Sequence, residues 1–94
     1  MAFDQGLALL KEARDAPDDV NKCREAARHM QLLWSFLIKD LTHPANDLSD
    51  DLKGNLVSIG LWVIRETDAI LAGRSSNWAA LIDINSTVRE GLNS

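Results

Sequence analysis

Residues 20–41 read VNKCREAARHMQLLWSFLIKDL, and the spacing of apolar residues in this stretch decides the fold class. Its apolar positions follow one another in alternating steps of three and four residues, which is the spacing of one helix face. They are Val20, Cys23, Ala27, Met30, Trp34, Leu37 and Leu41. A repeat maintained over about three heptads is typical of a helix packed in a bundle or a coiled coil. From Leu32 to Ile38 the apolar surface is wider than one face, so we expect this end to be covered on two sides, or on one side by a partner.

The rest of the chain predicts three further helices around this one. Phe3, Leu7 and Leu10 lie four and three residues apart, which predicts a short first helix that ends before Pro17. The expected helix boundaries are residues 3–15, 18–42, 49–72 and 76–91. No segment shows the sustained alternation of apolar and polar residues that marks a strand. We therefore predict an all-α fold, a small antiparallel bundle of about four helices in which a short first helix precedes three longer ones.

The segments between these helices contain residues that begin and end helices. Pro44 interrupts the chain after the second helix, and Ser49, followed by two aspartates, has the pattern of an N-cap. Gly73 is expected to end the third helix, and Ser75 or Ser76 to cap the fourth. The expected inner face of the third helix comprises Leu52, Leu56, Ile59, Val63 and Ile70, and that of the fourth comprises Trp78, Leu81, Ile84 or Asn85, Val88 and Leu92.

Length and charge indicate one domain, spanning residues 1–94, and limit the classes of partner. The net charge of −4 disfavours nucleic acid or an anionic membrane surface as the main partner, because both are bound largely through Lys and Arg. A single cysteine cannot form an internal disulfide, which fits a reducing compartment. No apolar stretch reaches the ~20 residues that a membrane-spanning helix needs, and the first residues lack a signal-peptide pattern. We therefore expect a cytoplasmic protein.

Residue types that carry out catalysis or bind metals are too scattered to suggest a site. Cys23 falls on the apolar face of the second helix, where a small core residue is the simpler interpretation. His29 and His43 are fourteen residues apart and have no carboxylates at a ligand spacing. Asp47, followed by two more aspartates, does not match a calcium loop, because no Glu follows at the required distance. We predict that the chain is not an enzyme and needs no metal or cofactor.

Polar and small residues interrupt the apolar faces, and they indicate contacts between helices or with a partner. Asn55 and Ser58 in the third helix and Asn85 in the fourth could hydrogen-bond one another inside the bundle, or border a binding groove. Gly60 costs a helix about 1 kcal/mol relative to alanine, which indicates close approach by another helix. The three tryptophans are expected in the core, with the alternative that one lines a groove for a partner helix.

Two groups of charged residues also have alternative interpretations. The pairs Arg65-Glu66 and Arg89-Glu90 could extend a polar network at the far ends of their helices. Lys22, Arg24 and Arg28 form the only basic cluster, interpreted as a solvated helix face with an RNA-binding patch as the alternative.

A longer pattern joins the last three helices. It comprises Leu33-Trp34, Leu37-Ile38, Asp40-Leu41, Pro44, Asn46, Leu48, Asn55-Leu56, Ser58-Ile59-Gly60, Trp62 and Arg65-Glu66, and then Gly73, Asn77, Leu81-Ile82, Ile84-Asn85, Val88-Arg89 and Gly91-Leu92. In order and spacing this pattern, over residues 28–92, resembles the bacterial flagellar biosynthesis regulator FlaF family. The resemblance implies a small regulator of flagellin synthesis and secretion that works with a second regulator, FlbT.

We infer from this resemblance a secretion chaperone that binds an amphipathic terminal helix of flagellin in an apolar groove. The alternative is a post-transcriptional regulator that acts on flagellin mRNA directly or through FlbT, although the acidic balance disfavours direct RNA contact. The regular apolar face of the second helix also leaves a homodimer open. The candidate partner-binding residues are Trp34, Leu37, Asn55, Ser58, Ile59, Trp62, Arg65, Asn85 and Arg89.

Overall fold

The computed structural model describes residues 2–93, which form four helices and no strand. The helices are α1 (Ala2–Asp15), α2 (Val20–Leu41), α3 (Asp50–Leu71) and α4 (Trp78–Asn93). The predicted all-α architecture is confirmed, and every predicted helix end lies within two residues of the observed one. None of the helices in the described part of the chain combines the length and apolar character needed to cross a membrane.

Local signals in the sequence account for most helix ends. The side chain of Asp19 accepts a hydrogen bond from the backbone N–H of Lys22 at 3.1 Å and begins α2. Ser49 does the same for α3, because its Oγ accepts from the N–H of Leu52 at 3.3 Å. After α3 the chain turns at Gly73, whose φ of +77° is readily adopted only by glycine.

The start of α4 differs from the prediction by two residues. The helix begins at Trp78, so that the cap position falls on Asn77 and not on Ser75 or Ser76. The backbone carbonyl of Asn77 accepts from the N–H of Leu81 at 3.3 Å. Ser75 lies before the cap position, where its Oγ accepts from the N–H of Asn77 at 3.2 Å. This hydrogen bond stabilises the turn that leads into the helix.

The helices are arranged around α2. Helices α1 and α3 both pack along α2, whereas α4 packs on α1. Helices α3 and α4 are consecutive in the chain but make no comparable contact with each other. The bundle is therefore closed on three sides and open along the α3–α4 side, which positions the candidate site.

The core forms where the predicted apolar faces meet, with three corrections, of which one is Leu92, predicted on the inner face of α4 but exposed near the end of that helix. Met30, Trp34 and Leu41 of α2 are fully or almost fully buried, as predicted, but Val20 is exposed because it lies on the first turn, beyond the packed part of the helix. Leu52 of α3 is also exposed, which contradicts its predicted inner position. The buried row of α3 is Leu56, Gly60, Val63 and Thr67. Helix α3 thus approaches α2 through small residues, and this rotates some of its large apolar residues away from the core.

Candidate partner-binding groove

Trp34 of α2 is completely buried and contacts residues of the other three helices. Its ring meets Phe3 of α1 edge to face, with centroids 5.9 Å apart and an interplanar angle of 85°. Its indole Nε1 donates a 2.8 Å hydrogen bond to Oδ1 of Asn85 in α4. The ring also lies against Gly60 of α3, with Cε3 as its nearest atom. One side chain on α2 therefore sets the positions of the other three helices.

Gly60 is the point of closest approach between α2 and α3. A Cβ atom built there would lie 2.8 Å from Cε3 of Trp34 and 2.8 Å from Cδ1 of Ile38, closer than real Cβ atoms approach. The expectation that a neighbouring helix explains this glycine is confirmed. Because only hydrogen occupies the position, the α3 backbone can lie directly against the tryptophan ring.

The three predicted interrupting polar residues divide into one buried and two exposed. Asn85 is completely buried, and its amide is satisfied on both sides, since Nδ2 donates to the carbonyl of Leu81 at 2.7 Å while Oδ1 accepts from Trp34. Asn55 and Ser58 are exposed, so the interpretation that they hydrogen-bond inside the bundle is wrong. The internal polar contact therefore joins α2 to α4 and does not involve α3.

A groove of about 540 Å³ runs between α3 and α4, where these two helices fail to pack. It is lined by Ser58, Ile59 and Trp62 of α3 and by Ala80, Asp83, Ile84 and Thr87 of α4. The α4 residues follow the spacing i, i+3, i+4, i+7, so they form one helix face, on which Ile84 is partly buried against the core. Trp62 is 37% exposed, and the groove consequently offers an aromatic side chain to solvent.

Two polar contacts lie near the ends of α3 and α4. Arg89 of α4 pairs with Asp4 of α1 at 2.6 Å, which ties these two helices together. Ser75, in the segment between α3 and α4, donates a hydrogen bond to the carboxylate of Glu66 on α3. Arg89 and Glu66 thus each have a partner near the end of a helix, but neither is joined to Asn85 through the contacts observed.

The structure separates the predicted partner-binding residues into distinct groups. Ser58, Ile59 and Trp62 line the groove. Trp34 and Asn85 are fully buried and have no surface with which to contact a partner in this conformation. The others lie elsewhere: Leu37 is half-buried against the core, Asn55 and Arg65 are exposed on α3 outside the groove lining, and Arg89 pairs with Asp4.

Sequence reasoning missed the α4 wall of the groove. Its residues carry no unusual chemistry, and Ile84 fits the inner face of α4 as well as the groove. The only available signal was the helical spacing of Ala80, Asp83, Ile84 and Thr87, which a solvated face shares. That this face borders a groove depends on the position of α3.

Cys23 lies in a second cavity, of about 320 Å³, at the end of the bundle where α2 begins and α3 ends. Its thiol lies 3.6 Å from the carbonyl oxygen of Pro17, to which it can donate. Burial raises the pKa of the Cys23 thiol, and the negative charges of Asp19 and Asp18 raise it further, so the reactive thiolate is disfavoured. Within residues 2–93 no three His, Cys, Asp or Glu side chains converge on a point where a metal could bind.

Comparison with known proteins places the chain in a family. No curated protein and no solved structure matches it. A family profile described as flagellar protein FlaF matches residues 1–92, so the similarity includes α1 as well as the part of the chain from residue 28 onward. The chain belongs to the FlaF family of flagellar proteins.

Proposed function

We propose that this protein regulates flagellin synthesis and secretion during flagellum assembly by binding an amphipathic terminal helix of flagellin. The groove between α3 and α4, in a chain that belongs to a flagellar family, is the observation that carries this proposal. In this proposal the protein acts in the cytoplasm, where flagellin is made, and it acts by binding and not as an enzyme. FlbT is the proposed second partner in the control of flagellin synthesis.

The shape and composition of the groove suit a helix. Two helix faces form its walls, and Ile59, Trp62 and Ile84 supply apolar surface that is only partly covered within the chain. An amphipathic helix laid in such a groove would bury residues spaced i, i+3, i+4 and i+7. Trp62 is the natural anchor, because buried aromatic side chains dominate the energetics of interfaces.

Binding of the flagellin segment is expected to be reversible, because in this proposal the segment is disordered before it binds. A segment that is disordered before binding must be ordered in the complex, which costs about 2–5 kcal/mol of the interaction energy. Binding would hide an apolar segment that is prone to aggregate, and the ordering cost would keep release possible. Trp34 and Asn85 have a supporting role in this proposal, since they hold α2 and α4 in register beneath the groove.

A titration with flagellin tests the proposal directly. The full chain is titrated by calorimetry with full-length flagellin and with peptides from each flagellin terminus. We expect one terminus to bind, and Trp62→Ala to weaken binding at least about tenfold. Leu61→Ala is the matched control, because Leu61 is the neighbouring exposed residue of α3 and does not line the groove. Absence of binding by all three ligands, or equal loss in both variants, would reject the proposal.

A second candidate function is supported by the basic cluster. Lys22, Arg24 and Arg28 are all exposed on α2, as a surface that contacts phosphates requires. In this alternative the protein acts on flagellin mRNA directly or through FlbT. A gel-shift assay with flagellin mRNA at physiological salt separates this alternative from flagellin binding. If the cluster binds the mRNA, replacing all three residues by glutamine should remove binding and its salt dependence. Unchanged binding would show that the cluster plays no part.

A further inference from the structure

The outer face of α2 carries two large apolar side chains that no described part of the chain covers. Leu32 is 63% exposed and Phe36 is 70% exposed. Each lies two residues from the buried Trp34, which places it about 160° around the helix from the core. The two are one turn apart and therefore adjacent on the surface. The wide apolar stretch seen in the sequence thus extends beyond what α1 and α3 cover.

Charge distinguishes α2 from the other three helices. Helix α2 contains four basic and two acidic residues, a net charge of +2, and all six side chains are exposed. Each of the other three helices contains more acidic than basic residues. Arg28 lies four residues before Leu32, and Lys39 and Asp40 lie three and four residues after Phe36. The carboxylate of Asp40 accepts a 3.2 Å hydrogen bond from Asn46, so the charge that borders the apolar pair is net positive. We define Arg28, Leu32, Phe36 and Lys39 as the α2 outer face.

We propose that the α2 outer face binds an acidic amphipathic helix of another protein. Leu32 and Phe36 supply the apolar contact, and the net positive charge of α2 attracts and orients acidic flanks on the partner. A second copy of this chain is a poor occupant, because pairing through the same face would place two helices of charge +2 against each other. RNA is also a poor occupant, because it would bind through the basic residues and would not need the apolar side chain of Leu32.

This surface is separate from the groove. None of the residues that line the groove belongs to α2, so occupation of one surface leaves the other accessible. The inference therefore does not depend on flagellin binding. It gives the protein two interaction surfaces, and these would allow it to join two partners in one complex.

Two synthetic amphipathic peptides with the same leucine face, one flanked by glutamates and the other by lysines, test the proposal. Each is added to the ¹⁵N-labelled full chain, and amide shifts are followed by NMR. We expect the glutamate peptide to shift residues around Arg28, Leu32, Phe36 and Lys39, with affinity that falls as salt is raised. Phe36→Ser should weaken this peptide at least about tenfold, whereas Leu61→Ser, at an exposed position of α3, should not.

Phe36 is exposed, so Phe36→Ser is expected to melt like the wild type; if it does not fold, Leu32→Ser replaces it in the same comparison. The proposal is overturned if the glutamate peptide does not bind, or if its shifts centre on Trp62. It is also overturned if sedimentation shows a wild-type dimer that Phe36→Ser dissociates, since a second copy would then occupy the face. Displacement of the glutamate peptide by an equimolar mixed-sequence RNA oligonucleotide would equally reject it in favour of nucleic acid.

Discussion

The indole Nε1 of Trp34 donates a 2.8 Å hydrogen bond to Oδ1 of Asn85, which lies 51 residues later on another helix. Both side chains are completely buried. Because α4 packs mainly on α1, this bond is a specific link between α4 and the central helix. It also explains why the α3–α4 side can stay open, since α4 is held from beneath and does not need to pack on α3.

Asn85→Leu should destabilise the protein by about 1–3 kcal/mol, because the buried Nε1–H of Trp34 would lose its acceptor. Asn55→Leu is the matched control, and its effect should stay within about 0.5 kcal/mol because Asn55 is exposed. Urea unfolding followed by circular dichroism measures both. Equal effects of the two substitutions would contradict the role assigned to the Trp34–Asn85 bond.

Gly60→Ala should destabilise the protein by about 1–3 kcal/mol, because the added methyl group would overlap the ring of Trp34. Asn85 holds that ring in place, so it cannot simply turn aside. Gly54→Ala provides the control on the same helix, since a Cβ at Gly54 meets nothing within 4 Å. It should stabilise the protein by about 0.5–1 kcal/mol through helix propensity. A stabilising Gly60→Ala in thermal or urea unfolding would show that α2 and α3 can separate at little cost.

Asp4→Asn should lower the stability by less than about 1 kcal/mol at low salt, and by less still at high salt. The carboxylate of Asp4 pairs with Arg89, but the two side chains are 51% and 36% exposed, so water and ions screen the attraction. Asp15→Asn is the control, because among the described residues Asp15 pairs with its neighbour Arg14 and not with a second helix. Unfolding at two salt concentrations measures the difference. A large loss that does not depend on salt would indicate a role other than this ion pair.

The Cys23 thiol should react with iodoacetamide more slowly than a free cysteine at pH 8. Burial, and then Asp19 and Asp18, raise its pKa, so a smaller fraction is thiolate at a given pH. Asp18→Asn should move the reaction profile to lower pH, and it leaves the Asp19 cap of α2 intact. A profile that does not move would contradict the assigned contribution of Asp18.

The same raised pKa predicts a loss of stability at alkaline pH. The folded state favours the neutral thiol, so its contribution is fully present below the pKa of the unfolded chain and is lost as the pH rises through the folded pKa. Cys23→Ala should remove this part of the pH dependence. Urea unfolding at several pH values between neutral and alkaline measures the free energy of unfolding of both proteins. An identical dependence of that free energy on pH in the wild type and in Cys23→Ala would contradict the prediction.

Local signals in the sequence determined how many helices form and where they end. Asp19, Ser49 and Gly73 act through hydrogen bonds or backbone angles within a few residues of their own positions. The helix ends could therefore be predicted from short stretches of the sequence. The apolar repeat of α2 likewise reports which side of that helix avoids water, and it placed Met30 and Trp34 in the core.

Only the tertiary structure decided which faces meet. Periodicity gives the side of a helix that is buried but not the neighbour that buries it, so Asn55 and Asn85 looked equivalent although one is exposed and the other is buried. The contact of Gly60 with Trp34 fixes the rotation of α3, and it depends on residues far apart in the chain. That rotation turns Trp62 outward and leaves the groove open along α4. The candidate site therefore arises from helix packing, which no short stretch of the sequence encodes by itself.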